Sequence, residues 1–370
     1  MGSKKTAVIV GLGAHARAAW VKALEQHEDW ELVGVVDTDT ELLANVPEMG
    51  LGVDEEACYR KISEMVQFGE KPDLCIVATP IYNHHVLVKE AMVEGINVIC
   101  EKNMASTIYQ GRQMVQLALD HPELVTAVGF QRRYITSFWT ARKFFQTEAQ
   151  ATLGRLNFVR WYEALNWGLY REGWRQWLQE LYVEDQAPHW FDMLRYLTGM
   201  DVVQVRCDAF IPRGSDWQGS STILANLALA HPDDYNHRHE WVWCQFYGDW
   251  QRRGESLDVR EFSFERGRAF VGGPWGVELH VYTNEDGSKW EEDGYLPDHD
   301  VEGLGVGHKY QAQAIILEMV KRGIDSGGKQ QPGTNFVDAF KSFAVTMACI
   351  ESSRTGKAVF VPKYWADMDI

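Results

Sequence analysis

The stretch Thr6-Ala-Val-Ile-Val-Gly-Leu-Gly-Ala-His-Ala16 decides the fold. An apolar run breaks at Gly11-Leu12-Gly13, and a helical pattern with Ala16, Ala19, Trp20, Ala23 and Leu24 on one face follows from Ala14. A buried strand that turns into a helix this way points free backbone N–H groups and a positive helix end at an anion. Gly11 permits the tight turn, Gly13 the close approach of a pyrophosphate, and Ala16, the third small position, the packing of helix on strand. A second apolar run, Leu32-Val-Gly-Val-Val-Asp37, closes on an acid about 24 residues beyond Gly13. There a carboxylate can accept bonds from both ribose hydroxyls. A glycine-rich turn in some other doubly wound sheet would leave Asp37 without a task. Gly11, Leu12, Gly13, Ala14, His15 and Asp37 are therefore the candidate dinucleotide site. The Asp37 carboxylate would repel a 2′-phosphate, and Thr38-Asp39 supplies no arginine to bind one, so NAD is favoured over NADP.

At 370 residues the chain suits two domains, each able to bury its own core. A net charge of −16, from 52 acidic and 36 basic residues, argues against a nucleic-acid footprint or an anionic membrane surface. It points instead to a substrate that is neutral or locally steered. The six cysteines are scattered, with neither CxxC nor Cys/His zinc spacing, so no metal site is expected. Cys75 and Cys100 sit inside apolar runs as small hydrophobes, which suits a reducing compartment. Met1-Gly-Ser-Lys-Lys leads straight into the first strand, and no apolar run approaches transmembrane length. The expectation is a cytoplasmic protein with no membrane or nucleic-acid partner. Most of the 15 tryptophans fall after residue 135, where core, subunit interface and sugar-ring platform are all open roles.

Up to about residue 135 strands and helices alternate. Apolar runs at Ala7–Val10, Leu32–Val36, Leu74–Ala78, Val98–Cys100 and Thr126–Phe130 are separated by helical patterns near Ala14–Glu25, Glu56–Phe68, His84–Glu94 and Thr107–Leu119. This is a Rossmann-type, doubly wound parallel sheet of the α/β class, with ligands at the carboxyl ends of its strands. From residue 136 to 370 the rhythm is that of an α+β domain with a large open, mostly antiparallel sheet. Its strand-like runs are Arg155–Tyr162, Val202–Ile211, Ser221–Ala230, His239–Tyr247, Leu257–Phe264 and Val277–Thr283. Pro188–Leu197 reads as a helix, with Pro in its first turn and Phe191, Leu194 and Leu197 at helical spacing. Tyr310–Lys321 and Asn335–Ser353 also read as helices, able to return to the first domain. The acid- and glycine-rich Asn284–Gly307 reads as loop.

Three more segments put polar residues where the sheets should place a site. In Ile76-Val-Ala-Thr79-Pro80-Ile-Tyr-Asn-His84, a strand end and a helix start make a wall for the cofactor, with His84 in a structural place. In Val98-Ile-Cys-Glu101-Lys102, a lysine at a buried strand's end could stabilise a developing alkoxide, or simply meet solvent. In Glu184-Asp185-Gln-Ala-Pro-His189-Trp-Phe-Asp192, a histidine at a helix entrance could carry a proton near its ordinary pKa, or contact water.

Taken in order, the Gly-x-Gly turn, Asp37, Ala78-Thr-Pro80…His84, Glu101-Lys102, Gly129-Phe-x-Arg-Arg133 and Asp185-x-x-x-His189-x-x-Asp192 resemble the Gfo/Idh/MocA oxidoreductases. The resemblance continues through Gly199 and the closing Ala339…Ala348…Ser352-Ser353…Gly356-Lys-x-Val359, so it covers essentially the whole chain. It implies a Rossmann domain followed by an open-faced α/β domain, NAD(P)-dependent oxidation of a sugar, glycoside or polyol hydroxyl, and a homodimer or homotetramer. By position, Lys102 matches the lysine that polarises the reacting hydroxyl, His189 the proton carrier, and Asp185 the carboxylate binding the hydroxyl beside it. Arg133 and Arg160 are further candidate substrate contacts. Asn103, Ile81 and Ala187 depart from the family's usual proline, asparagine and glycine. Two other readings use much the same residues: an enzyme that retains its NAD, as a glycosidase or sugar–sugar oxidoreductase, and a non-enzymatic dinucleotide-binding regulator.

Overall fold

In the computed structural model, which describes residues 4–166, 173–272, 279–283, 291–295 and 312–370, the chain forms two compact units. The first takes residues up to Gln131 together with 312–340. The second takes the described residues from Arg132 to 295 together with Lys341–Ile370.

The first unit is built on six parallel strands, β1 (Lys5–Val10), β2 (Trp30–Val36), β3 (Cys58–Tyr59), β4 (Leu74–Val77), β5 (Asn97–Cys100) and β6 (Thr126–Val128). They lie in the order β3-β2-β1-β4-β5-β6, the doubly wound arrangement of a dinucleotide-binding sheet. Helices cover both faces of such a sheet, so its central strands are apolar throughout: Ala7–Val10 and Leu74–Val77 are all at most 2% exposed. Residues 14–26 form the first crossover helix, widened to a π turn over Arg17–Val21. The expected helix Glu56–Phe68 is corrected. It divides into a 3-10 turn Glu55–Ala57, the edge strand β3, and a helix Ile62–Phe68. Cys58 and Tyr59 pair with Val35 and Val36, and Gly34 lets the Ala57 carbonyl come within 3.0 Å of where a Cβ would stand. The helix Ala312–Asp325 packs on this sheet, its Leu317 carbonyl accepting from the Trp30 indole at 3.3 Å. The Thr334 carbonyl accepts from Val128 N–H at 2.8 Å, which covers the β6 edge.

The second unit carries β7 (Leu156–Ala164), β8 (Asp201–Phe210), β9 (Thr222–Ala230), β10 (Val242–Asp249), β11 (Leu257–Phe264), β12 (Gly267–Val271), β13 (Leu279–Thr283), β14 (Glu291–Tyr295) and β15 (Val359–Phe360). Their order is β14-β13-β12-β11-β7-β10-β9-β8-β15, antiparallel except where β7 meets β10. Two strands correct the sequence reading. β12 turns back on β11 through Glu265-Arg266, and β14 lies inside the stretch expected to be loop, paired with β13. The rest of that stretch, and Val277, lie outside the described residues. His239, expected in a strand, sits in the 3-10 turn Arg238–Glu240.

Side chains alternate along β7 as the pleat requires. Val159, Trp161 and Glu163 are buried on the face covered by helices Thr136–Thr147 and Ala187–Thr198, whereas Arg160 and Tyr162 are on the other. Trp161 packs on Trp190 with centroids 5.4 Å apart, Phe262 on Phe145 at 4.7 Å, and Phe246 on Phe191 at 5.4 Å. Core is thus the role of Trp161 and Trp190, while Trp177 is 73% exposed. All six cysteines are free thiols, and no described helix is long and apolar enough to cross a membrane.

Candidate active site

Gly11 follows β1 with φ +89°, and a Cβ on it would lie 2.6 Å from Thr79 Cγ2 and 3.0 Å from the Ala78 carbonyl oxygen. Only glycine combines that φ with that contact. Gly13 is the opposite case: its backbone is ordinary (φ −64°, ψ 175°), and no protein atom lies within 4 Å of where its Cβ would be. The protein itself does not need a glycine there. An open cradle at the start of helix 14–26 does, if a pyrophosphate is to sit against the backbone. Asp37, half-buried just beyond β2, accepts Leu12 N–H at 2.8 Å on Oδ2 and Asp39 N–H at 3.0 Å on Oδ1. Each carboxylate oxygen keeps a further lone pair, so the fixed group can still accept ribose hydroxyls. These residues fit a bound NAD.

Thr79 and Pro80 close β4 and open the helix Ile81–Val93. His84 on that helix is 1% exposed, with Nδ1 2.8 Å from the Asn103 carbonyl and Nε2 2.8 Å from that of Thr79. Burial pulls its pKa down, against the two carbonyls and Glu101, which favour the charged ring. His84 therefore ties the end of β4 to the turn that carries Lys102. Asn103 takes the usual proline position, and the Lys102–Asn103 peptide is cis.

Glu101 is buried, and its Oε1 accepts the Trp20 indole N–H at 2.8 Å and faces His15 Nε2 at 3.0 Å, while Oε2 accepts Lys102 N–H at 3.1 Å. Burial raises the Glu101 pKa, but the pull of His15, Lys102 and Trp20 outweighs it, and the carboxyl lies below its ordinary value. Gly129 makes room for this group, since a Cβ on it would stand 2.9 Å from Oε1. Sequence reading took Trp20 only as packing. The need of a buried indole N–H for an acceptor was the available signal.

Lys102 belongs to the first unit; Asp185 and His189 belong to the second. Asp185 ends the helix Leu181–Asp185, and His189 lies in the first turn of Ala187–Thr198; they are 4% and 6% exposed. Arg175, which the sequence did not single out, donates from Nε to Asp185 Oδ2 at 2.6 Å. Arg133 is buried and holds Asp192 with Nε at 2.7 Å and Nη2 at 2.5 Å, while Ser342 Oγ donates to the same carboxylate at 2.9 Å. Arg160 pairs with Glu261 at 2.5 Å on the sheet face opposite the helix of His189. The structure thus gives both arginines carboxylate partners of their own.

Residues 5–130 match the family described as an oxidoreductase family with an NAD-binding Rossmann fold. Over 347 residues the chain is 23% identical to the uncharacterized protein y4oX of Sinorhizobium fredii, covering 90% of this chain and 88% of that protein. It is 26% identical to inositol 2-dehydrogenase of Leifsonia xyli over 145 residues, 38% of this chain and 39% of the relative. The solved structure of levoglucosan dehydrogenase with NADH and L-sorbose has the same fold, with a TM-score of 0.80 at 18% identity over 98% of this chain and 100% of that one. The match thus covers the Rossmann unit: over residues 5–130 the chain is similar to the Gfo/Idh/MocA family of NAD-binding oxidoreductases.

Proposed function

We propose that the protein oxidises a secondary hydroxyl of a sugar, glycoside or inositol with NAD as hydride acceptor. One observation carries the reading. Asp185 and His189 stand four residues apart, where two consecutive helices meet, and the chain also keeps Lys102 at the carboxyl end of β5. His189 takes the proton of the reacting hydroxyl, and the Lys102 ammonium stabilises the alkoxide oxygen as it forms. Asp185 accepts from a neighbouring hydroxyl, its carboxylate steadied by Arg175. Bound NAD supplies the acceptor for the hydride that leaves the carbinol carbon. Arg133 and Arg160 are left out of the substrate set, because each is paired with a carboxylate of the protein. The names of an inositol 2-dehydrogenase and a levoglucosan dehydrogenase among similar proteins support a cyclic polyol or sugar as substrate.

The test is absorbance of reduced nicotinamide with purified protein, NAD and a panel of sugars, glycosides and inositols. The His189→Ala variant should turn over on the order of 10²–10⁴ times more slowly while still binding NAD. Unchanged turnover would remove His189 from the mechanism.

A further inference from the structure

We propose that Glu163, buried in the middle of the second unit, is a positioning residue that sets the place of Asp185 and His189. The inference rests on the function proposed above. Glu163 stands on the helix-covered face of β7 and is 1% exposed. Its carboxylate accepts the Tyr182 hydroxyl at 2.6 Å, the Gln186 amide at 2.9 and 3.1 Å, and the Trp190 indole N–H at 2.8 Å.

Those three donors are four residues apart, so they form one stripe along the helical run that starts at Leu181. Asp185 and His189 follow Tyr182 and Gln186 by three residues each. At about 100° per residue they form the adjacent stripe, about 60° around the axis. One carboxylate therefore grips the run beside the two residues assigned to the chemistry.

The sheet is shaped to allow this. Gly248 of β10 is paired directly with Glu163, and a Cβ on it would lie 2.1 Å from Tyr182 Cε1. The ring of Tyr182 fills that gap and brings its hydroxyl to the carboxylate. Two guanidinium groups balance the buried charge while flanking the same indole: Arg132 is 3.9 Å and Arg260 4.5 Å from the Trp190 ring centroid. Arg260 also pairs with Asp258, the β11 residue in register with Glu163. Apolar contacts alone would hold this run against the sheet, yet tolerate small rotations and slides. Three directional bonds to one anion fix its rotation and its height, and proton transfer at His189 depends on both.

Glu163→Gln removes the charge and leaves one acceptor oxygen for three donors. We expect kcat to fall on the order of 10²-fold, the effect of misplacing a reacting group by about 1 Å, with NAD affinity unchanged. Tyr182→Phe keeps the charge and two donors and should give a smaller loss in the same direction; it serves if Glu163→Gln does not fold. The deciding measurement is the double variant. In a His189→Ala background Glu163→Gln should cost clearly less, because only the part of its effect that passes through Asp185 remains. An equal loss in both backgrounds would make Glu163 merely structural and overturn the inference. If the wild-type protein reduces no NAD with any sugar or polyol, the proposed function fails by itself. Glu163 is then judged by the ¹⁵N titration of the His189 ring in the free protein: a moved midpoint in Tyr182→Phe, which keeps the charge, keeps the positioning role, and an unmoved one ends it.

Discussion

Gly11 and Gly13 sit two residues apart in one turn, and the structure demands opposite outcomes from the same substitution at each. At Gly11 an added methyl meets Thr79 Cγ2 at 2.6 Å from a backbone at φ +89°. The left-handed conformation costs a non-glycine residue about 1–2 kcal/mol. The overpacking adds about 1–3 kcal/mol. Gly11→Ala should therefore lose about 2–5 kcal/mol, a large part of a typical domain's total. At Gly13 the backbone is ordinary and the space open, so Gly13→Ala should change the stability of the free protein by less than about 1 kcal/mol. Its methyl group, however, fills the cradle where the pyrophosphate would rest. Urea unfolding with and without NAD separates the two effects. NAD at a hundred times its Kd should stabilise the wild type by about 2.7 kcal/mol, and in Gly13→Ala the same NAD concentration should add about 0.4 kcal/mol or less. Calorimetry should show affinity weakened by about two decades or more. Undiminished NAD binding by Gly13→Ala would refute the placing of the pyrophosphate over Gly13, and a fully stable Gly11→Ala would refute the steric account of the turn.

Asp37→Ala should weaken NAD and narrow the preference over NADP, as read from the two Kd values; equal discrimination before and after would mean that another residue reads the ribose. Acid should loosen the docking of the helix Ala312–Asp325. Contacts with His27 at 3.3 Å and Arg322 at 2.8 Å pull the Glu318 pKa down to about 2 from 4.5. A depressed carboxyl stabilises the fold above its unfolded value and loses that contribution as pH falls from about 4.5 to about 2. The stability gap between wild type and Glu318→Gln should close over that range, and a gap independent of pH would show that the charge of Glu318 contributes nothing.

The sequence carried the first sheet well because strands covered on both faces are written as unbroken apolar runs, as Ala7–Val10 of β1, Leu74–Val77 of β4 and Val98–Cys100 of β5 are. The short strands β3, β12 and β14 were missed or misread, since two to five residues leave little period to detect. The turn at Gly11 and the acid at Asp37 were legible because a single chemical need fixes both residue types and their spacing. The supporting network was not. Glu163 is 19 to 27 residues from its donors, and a lone acid in a strand reads as surface until the strand's register is known. Parity along β7 was nonetheless in the sequence: Arg160 is an odd number of residues from Glu163 and must face the other side. Arg133 is different. Nothing local shows that its partner is an aspartate 59 residues away.

The return of residues 312–340 to the first unit has a consequence for how the protein comes into being. The Trp30 indole bonds to a carbonyl 287 residues later in the chain. All six strands of the parallel sheet leave the ribosome before that partner exists. At typical synthesis rates of about 5–20 residues per second, the gap from Gln131 to Phe340 lasts on the order of ten to forty seconds. During that interval β6 has an uncovered edge, for the Thr334 carbonyl that caps Val128 has not been made. The nucleotide-binding half begins first and is finished nearly last. A fragment cut at Gln131 is thus an unfinished sheet rather than a small domain.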